Sequence, residues 1–193
     1  MNDIENILQF IVEIEKLKNV IRKTKPVGLD RFENSAEHSW HVALSAIMLK
    51  DHSSEPINID RVIKMLLIHD LGEIDAGDKI IYESETTEQK QKELDGIERL
   101  FAMLPSDLAK ELTTLWIEFE TGESTDAIYA KAIDRVPPLL HNMHGEGHSW
   151  KTHNIPKEKV YALNGERIAK ASKPLWTVLE SKLDDAVDKG LLK

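Results

Sequence analysis

No cysteine occurs in the 193 residues. That absence excludes disulfide scaffolds, thiolate zinc sites, iron–sulfur clusters and cysteine nucleophiles, so any metal must sit on His, Asp or Glu. Positive charge is also in short supply: 25 Lys and Arg against 34 Asp and Glu give a formal charge of −9, with a pI near 5.4. Sequence-independent binding to nucleic-acid polymers depends on Lys and Arg neutralising phosphates, so no such polymer is an expected partner. Long apolar runs are missing as well. The run at residues 65–68 falls far short of the roughly 20 residues that span a bilayer, and Asp3 and Glu5 near the start contradict a basic, apolar secretory signal. The expectation is a cytoplasmic protein with no membrane partner.

What is present is helical periodicity. Ile4, Ile7, Leu8, Ile11, Ile14, Leu17, Val20 and Ile21 recur at three- and four-residue steps with charge between them, which predicts an amphipathic helix over the first 21 positions. Pro26 and Gly28 break that pattern in the densest basic stretch of the chain, which carries Arg22, Lys23, Lys25 and Arg31, and residues 23–34 read as a loop. Ser35 is a candidate N-cap for a second helix reaching about Asp51. From about Asp60 the segment RVIKMLLIHDLGEIDAGD is apolar almost all round before it ends in His69, Asp70, Gly72 and Glu73, as befits a helix central to a fold. Residues 79–87 are polar and irregular, and helical periods follow over 89–103, 105–120 and 125–141. The loop 142–154 is rich in His and Gly, and Pro156 opens a long last helix with a bend expected at Pro174. No strand alternation, repeat or low-complexity stretch is visible. The predicted fold is therefore all-α, a single domain over residues 1–193, and at 22.0 kDa such a chain buries about 70% of its unfolded surface, enough for a core that needs no metal to hold it.

The chemistry concentrates in polar residues placed on apolar segments. His69 and Asp70 close the apolar third segment, where an uncompensated carboxylate costs several kcal/mol to bury. Alone, the pair is better read as a His at a helix C-terminus beside an Asp that caps the turn. Its company changes that reading. Glu37-His38-Ser39 opens the helix after the basic loop, and Asp134 stands on a face otherwise formed by Ile128, Ala132, Ile133 and Val136. Three helices thus each offer an N or O ligand, and two His with two Asp suit a divalent ion in a bundle interior. Pro137 and Pro138 deprive the carbonyls of Ile133 and Asp134 of their helical donors, which predicts a distortion beside Asp134.

The ordered set ENSAEHSWH, LLIHDLGEIDAGD and KAIDRVPPLL resembles the HD-domain metal-dependent phosphohydrolases, in particular their small 5′-deoxynucleotidase-like branch. The resemblance implies an HD-type helical bundle in which His38, His69, Asp70 and Asp134 hold one divalent ion, Mn, Co, Fe, Zn or Mg. It implies cleavage of a phosphomonoester, a (deoxy)nucleoside 5′-monophosphate, to nucleoside and phosphate. The same centre acting on a triphosphate or cyclic nucleotide, and a nucleotide-binding regulatory protein without turnover, are the alternatives. Glu73 takes the catalytic position, orienting or deprotonating water, or else is a helix-end carboxylate. Asp78 suits a sugar hydroxyl or a water near the metal, or else serves a turn. Arg22 approximates the family's phosphate-binding arginine, though Lys23 follows it where small members often carry an aromatic residue, and Arg31 competes for the phosphate. A homodimer is a further implication. His141, His144, His148 and His153 admit a second metal site, a loop that closes over substrate with Trp150, or simple surface placement, while His41 is a neighbour of the metal set.

Overall fold

Helix α1 (Asp3–Ile14) is shorter than its periodicity predicts. It tightens into a 3-10 turn over Glu15–Asn19 that buries Leu17, after which Val20 is extended. The physical reason is a set of backbone bonds across the basic loop. Arg22 N–H donates to the Glu33 carbonyl at 2.9 Å, Glu33 N–H to Thr24 at 2.9 Å and Ser35 N–H to Val20 at 3.0 Å. A helix continued to residue 21 would forfeit these bonds. The basic loop therefore closes on itself, and its two ends lie side by side with Ile21 and Asn34 in an antiparallel bridge.

The computed structural model describes residues 3–82 and 86–193, and among them it contains eleven α-helices and no β-strand, in agreement with the all-α expectation. Helix α2 (Ser35–Leu49) is capped by Asn34 rather than by Ser35: Asn34 Oδ1 accepts from Glu37 N–H at 3.0 Å while the Glu37 carboxylate accepts from Asn34 N–H at 3.3 Å. This reciprocal capping box satisfies two backbone donors at once and leaves the Ser35 hydroxyl free to serve elsewhere. The buried stripe of α2, Ser35, His38, Ser39, Val42, Ala43 and Ala46, follows helical spacing.

Helix α3 (Ile59–Ile68) packs against α2, α6 (Ser106–Thr121) and α7 (Thr125–Ile133), which makes it the centre of the fold. Its Val62, Met65 and Leu66 are completely enclosed, each contributing about 1.5–3 kcal/mol by burial. Leu67 is half-exposed, so the helix is surrounded on three sides rather than four. After Ile68 the chain turns through residues 69–72 into α4 (Glu73–Ala76), which lies against α5 (Thr87–Phe101). Of the irregular stretch expected at 79–87, residues 83–85 lie outside the described residues.

Two long helices expected from the sequence are each divided. The 125–141 period becomes α7 and α8 (Val136–His144), with Pro137 and Pro138 in the first turn of α8, where a missing N–H costs least. The predicted distortion beside Asp134 is thus a full break, and it sets Asp134 at the C-terminal end of α7. The last helix becomes α10 (Lys157–Ala171) and α11 (Lys173–Asp188); the break falls at Ser172, whose side chain accepts from Leu175 N–H, and Pro174 sits in the first turn of α11 instead of bending a continuous helix. The His- and Gly-rich segment is also more ordered than expected. It contains α9 (His148–Thr152), held by Asn142 Oδ1, which accepts from Ser149 N–H and Oγ at 3.0 Å and from Trp150 N–H at 3.2 Å.

Gly72 joins the turn after α3 to α5. A Cβ at this position would lie 2.7 Å from the Glu93 carbonyl oxygen, a backbone atom that cannot rotate away. We expect Gly72→Ala to destabilise the fold by about 1–3 kcal/mol through overpacking, read as a lower urea midpoint with an unchanged slope.

Candidate metal centre

Three helices deliver the central cluster. His38 comes from the first turn of α2, His69 from the residue after α3, and Asp134 from the end of α7, and one ligating atom of each lies within 4.8 Å of the others. His38 Nε2 is 2.8 Å from Asp134 Oδ1, and His69 Nε2 is 3.4 Å from the same oxygen and 3.0 Å from Asp70 Oδ1. Asp70 therefore adjoins the cluster through His69, while its other oxygen accepts from Arg22 Nη1 at 2.8 Å.

Each side chain is held from behind. His69 Nδ1 lies 2.8 Å from the Leu66 carbonyl, which orients the ring and directs Nε2 into the cluster. The His69 carbonyl accepts from Trp116 Nε1 at 3.1 Å, and the ring rests 5.0 Å from Phe119. Glu33, a residue the sequence did not single out, stands with Oε2 3.6 Å from His38 Nδ1. Its only sequence signal is its place at the end of the basic loop, directly before the α2 cap.

The donor set fits a divalent ion. Buried His69 Nε2 has no well-formed hydrogen bond, and two imidazole nitrogens face carboxylate oxygens with no thiolate nearby, an N/O set suited to first-row divalent metals. The electrostatics agree. Burial alone would lower the pKa of His69, but Asp70 and Asp134 overcome it and push the pKa up to about 9. Burial opposes ionisation of Asp134, yet the hydrogen bond from His38 and the neighbouring His69 ring hold its carboxyl well below the usual range. The protonated His69 is thus a positive charge facing these two carboxylates.

Around this floor is a cavity of about 630 Å³ lined by His69, Asp70, Glu73, Asp78 and Asp134. Arg22 also lines it, its charge reinforced by Asp70 and Asp78 against the cost of burial. Ser35 Oγ donates to Glu73 Oε2 at 2.6 Å. Burial first, and then the charge of Asp70, raise the Glu73 carboxyl well above the ordinary glutamate range; burial also raises Asp78. Arg31 is not brought to this cavity. It is 52% exposed and bound at 2.7 and 2.8 Å by both oxygens of Glu37. Sequence reasoning missed the cationic lining: Lys131, Arg135, Arg167 and Lys170. Arg135 adjoins Asp134 and was available to inspection, whereas Arg167, on α10, carried no local signal. The four loop histidines do not converge, since His141 is buried and His144 exposed, and Trp150 is 2% exposed and anchored, which removes the reading of a loop closing through that ring.

Comparison with known proteins decides the family. A model described as HD domain matches residues 14–176. The chain belongs to the HD domain family. The HD dipeptide is His69-Asp70, and the family resemblance read from the three sequence segments is borne out. Among individual HD relatives, the bovine (Bos taurus) protein named 5′-deoxynucleotidase HDDC2 is 33% identical over 70% of this chain, and the human (Homo sapiens) one is 31% identical over 70%. The match spans 65% of the bovine protein's length and 66% of the human one. A crystal structure from Magnetospirillum magnetotacticum MS-1, described as a "Predicted metal-dependent phosphohydrolase", is 42% identical, covers 98% of this chain and 95% of its own, and superposes with a TM-score of 0.93.

Because His69 holds its proton up to about pH 9 without metal, a divalent ion must displace that proton to bind. Titrating the metal-free protein with Mn²⁺ in weak buffer at pH 7 is expected to release about one proton per ion bound, with affinity rising from pH 6 to pH 9. Binding without proton release would contradict this electrostatic account.

Proposed function

We propose that the chain is a divalent-metal-dependent phosphohydrolase that cleaves a (deoxy)nucleoside 5′-monophosphate to nucleoside and phosphate. The observation that carries the reading is the convergence of His38, His69 and Asp134 on the floor of a cavity walled by Arg22, Lys131, Arg135, Arg167 and Lys170. The seven Lys and Arg of the lining are matched by seven Asp and Glu, so the cavity is balanced where the chain as a whole is −9, and a bound divalent ion would turn it positive for a small anion. The names of the HDDC2 proteins and of the Magnetospirillum structure support the same substrate class and metal dependence.

In this reading His38, His69, Asp70 and Asp134 hold one ion, Mn, Co, Fe, Zn or Mg. When bound, the ion supplies Lewis acidity at a phosphoryl oxygen and makes water acidic enough to attack near neutral pH. Glu73 takes the proton of the attacking water. Burial raises its pKa, which makes the carboxylate a stronger base toward that water, and Ser35 Oγ anchors one of its oxygens. Water oxygen bonds to phosphorus as the ester P–O bond breaks, and the proton held by Glu73 is available to the departing 5′ oxygen. Arg22, rather than Arg31, is assigned to the phosphate, because Arg22 lines the cavity while Glu37 occupies Arg31. Asp78, in the same wall, is assigned to a sugar hydroxyl.

A homodimer in the cytoplasm is part of the same proposal. The outer face of α2 supports the dimer: Trp40, Leu44, Ile47 and Met48, at helical spacing, are 38–65% exposed. A solution mass of twice 22.0 kDa is the check. No described helix is long and apolar enough to cross a membrane.

The test is product analysis with metal-loaded protein on a panel of nucleoside monophosphates, nucleoside triphosphates and cyclic nucleotides. Glu73→Gln is expected to lower kcat by about 10²–10⁴-fold with metal content intact, Arg22→Ala to raise KM, and Arg31→Ala to stay within about two-fold of the parent. No orthophosphate with any of Mn, Co, Mg or Zn would refute the proposal, and release of pyrophosphate or triphosphate would transfer it to a different phosphate ester.

A further inference from the structure

A second cluster of ligating groups lies behind the first and is used by none of the steps above. Glu33 ends the basic loop, His41 follows His38 by three residues on α2, and His141 projects from α8; one ligating atom of each lies within 4.8 Å of the other two. The His41 and His141 rings are 5.6 Å apart between centroids with 35° between their planes. Glu33 and His141 are only 2% and 4% exposed, while His41 is half-buried and gives the cluster an edge toward solvent.

The independent observation is an orphaned atom. His141 Nδ1 is enclosed and has no hydrogen-bond partner, yet it points at Glu33 Oε2 from 3.9 Å. That separation is too long for a hydrogen bond, and an enclosed polar atom without a partner costs about 1–3 kcal/mol. Two donors bound to one tetrahedral ion at about 2.1 Å stand about 3.4 Å apart. A contraction of about half an ångström therefore turns the unsatisfied pair into two corners of a coordination shell, with His41 as the third donor.

We infer that Glu33, His41 and His141 form a second divalent-metal site, separate from the HD centre and suited to a borderline ion such as Zn²⁺ or Co²⁺. Two imidazoles and a carboxylate are the donor chemistry such ions prefer. Burial holds His141 below its ordinary pKa, which keeps the imidazole in the neutral form that ligates. Glu33 Oε2 also lies 3.6 Å from His38 Nδ1, 3.6 Å from Arg22 Nε and 3.4 Å from Thr24 Oγ1. The carboxylate of the second site thus also stands behind one ligand of the first.

The experiment is metal counting on the full chain. Protein stripped with chelator is reloaded with excess Zn²⁺ or Co²⁺, desalted and analysed by mass spectrometry for metal per chain. The parent is expected to retain about two ions, His41→Gln one, Asp134→Asn one, and the double variant none. His41 is half-buried and its replacement is tolerated by the core; thermal melting confirms the fold, and His141→Gln provides a second arm. A parent that holds one ion, lost in Asp134→Asn and kept in His41→Gln, overturns the second site and leaves the HD centre standing. A parent whose metal is lost in His41→Gln and untouched in Asp134→Asn supports the second site and refutes the first.

Discussion

The structure depends on one electrostatic constraint: the carboxylate of Asp134 is held within the protein and must be met by hydrogen-bond donors or positive charge. His38 and His69 meet it from two other helices, at 2.8 and 3.4 Å. An unpaired carboxylate at this depth costs several kcal/mol, so the arrangement requires α2, α3 and α7 to arrive together. The α7–α8 break sets Asp134 at a helix end, the Asn34–Glu37 capping box fixes where α2 begins and hence where His38 points, and Gly72 lets the chain leave His69-Asp70 pressed against α5. Local backbone chemistry at three places thus serves a single long-range charge balance.

Most of the fold was legible because it is written in short-range patterns. Three-and-four spacing located the helices, and the prolines at 137 and 138 announced a disturbance beside Asp134. The errors share a physical cause. Helix α1 stops early because the basic loop pairs its own ends, and the cap of α2 moves one residue because Glu37 answers Asn34; both depend on partners outside the periodic segment. The His-rich segment looked irregular for the same reason, since the Asn142 side chain that organises Ser149 and Trp150 is invisible to a pattern of apolar residues.

The proposed site was legible in its candidate ligands and illegible in its walls. His38, His69 and Asp134 could be read because polar residues on apolar helices demand compensation. Arg167 and Lys170 line the same cavity from α10, about a hundred residues from the HD dipeptide, and only folding brings them there. The choice between Arg22 and Arg31 was likewise a tertiary question: Glu37 binds one, and the cavity takes the other. The net charge of −9 describes the whole chain and conceals that seven Lys and Arg line this cavity against seven Asp and Glu, a local balance on which the proposal of a small phosphate ester, rather than a nucleic-acid polymer, rests.

The central claim is that this charge balance is the resting form of a metal centre. Anomalous diffraction from crystals grown with Mn²⁺ tests it most directly. The expected result is a peak within coordination distance of His38 Nε2, His69 Nε2 and Asp134 Oδ1, with Asp70 turned toward it. A fully loaded crystal with no peak among those atoms, and His38 still hydrogen-bonded to Asp134, would contradict it.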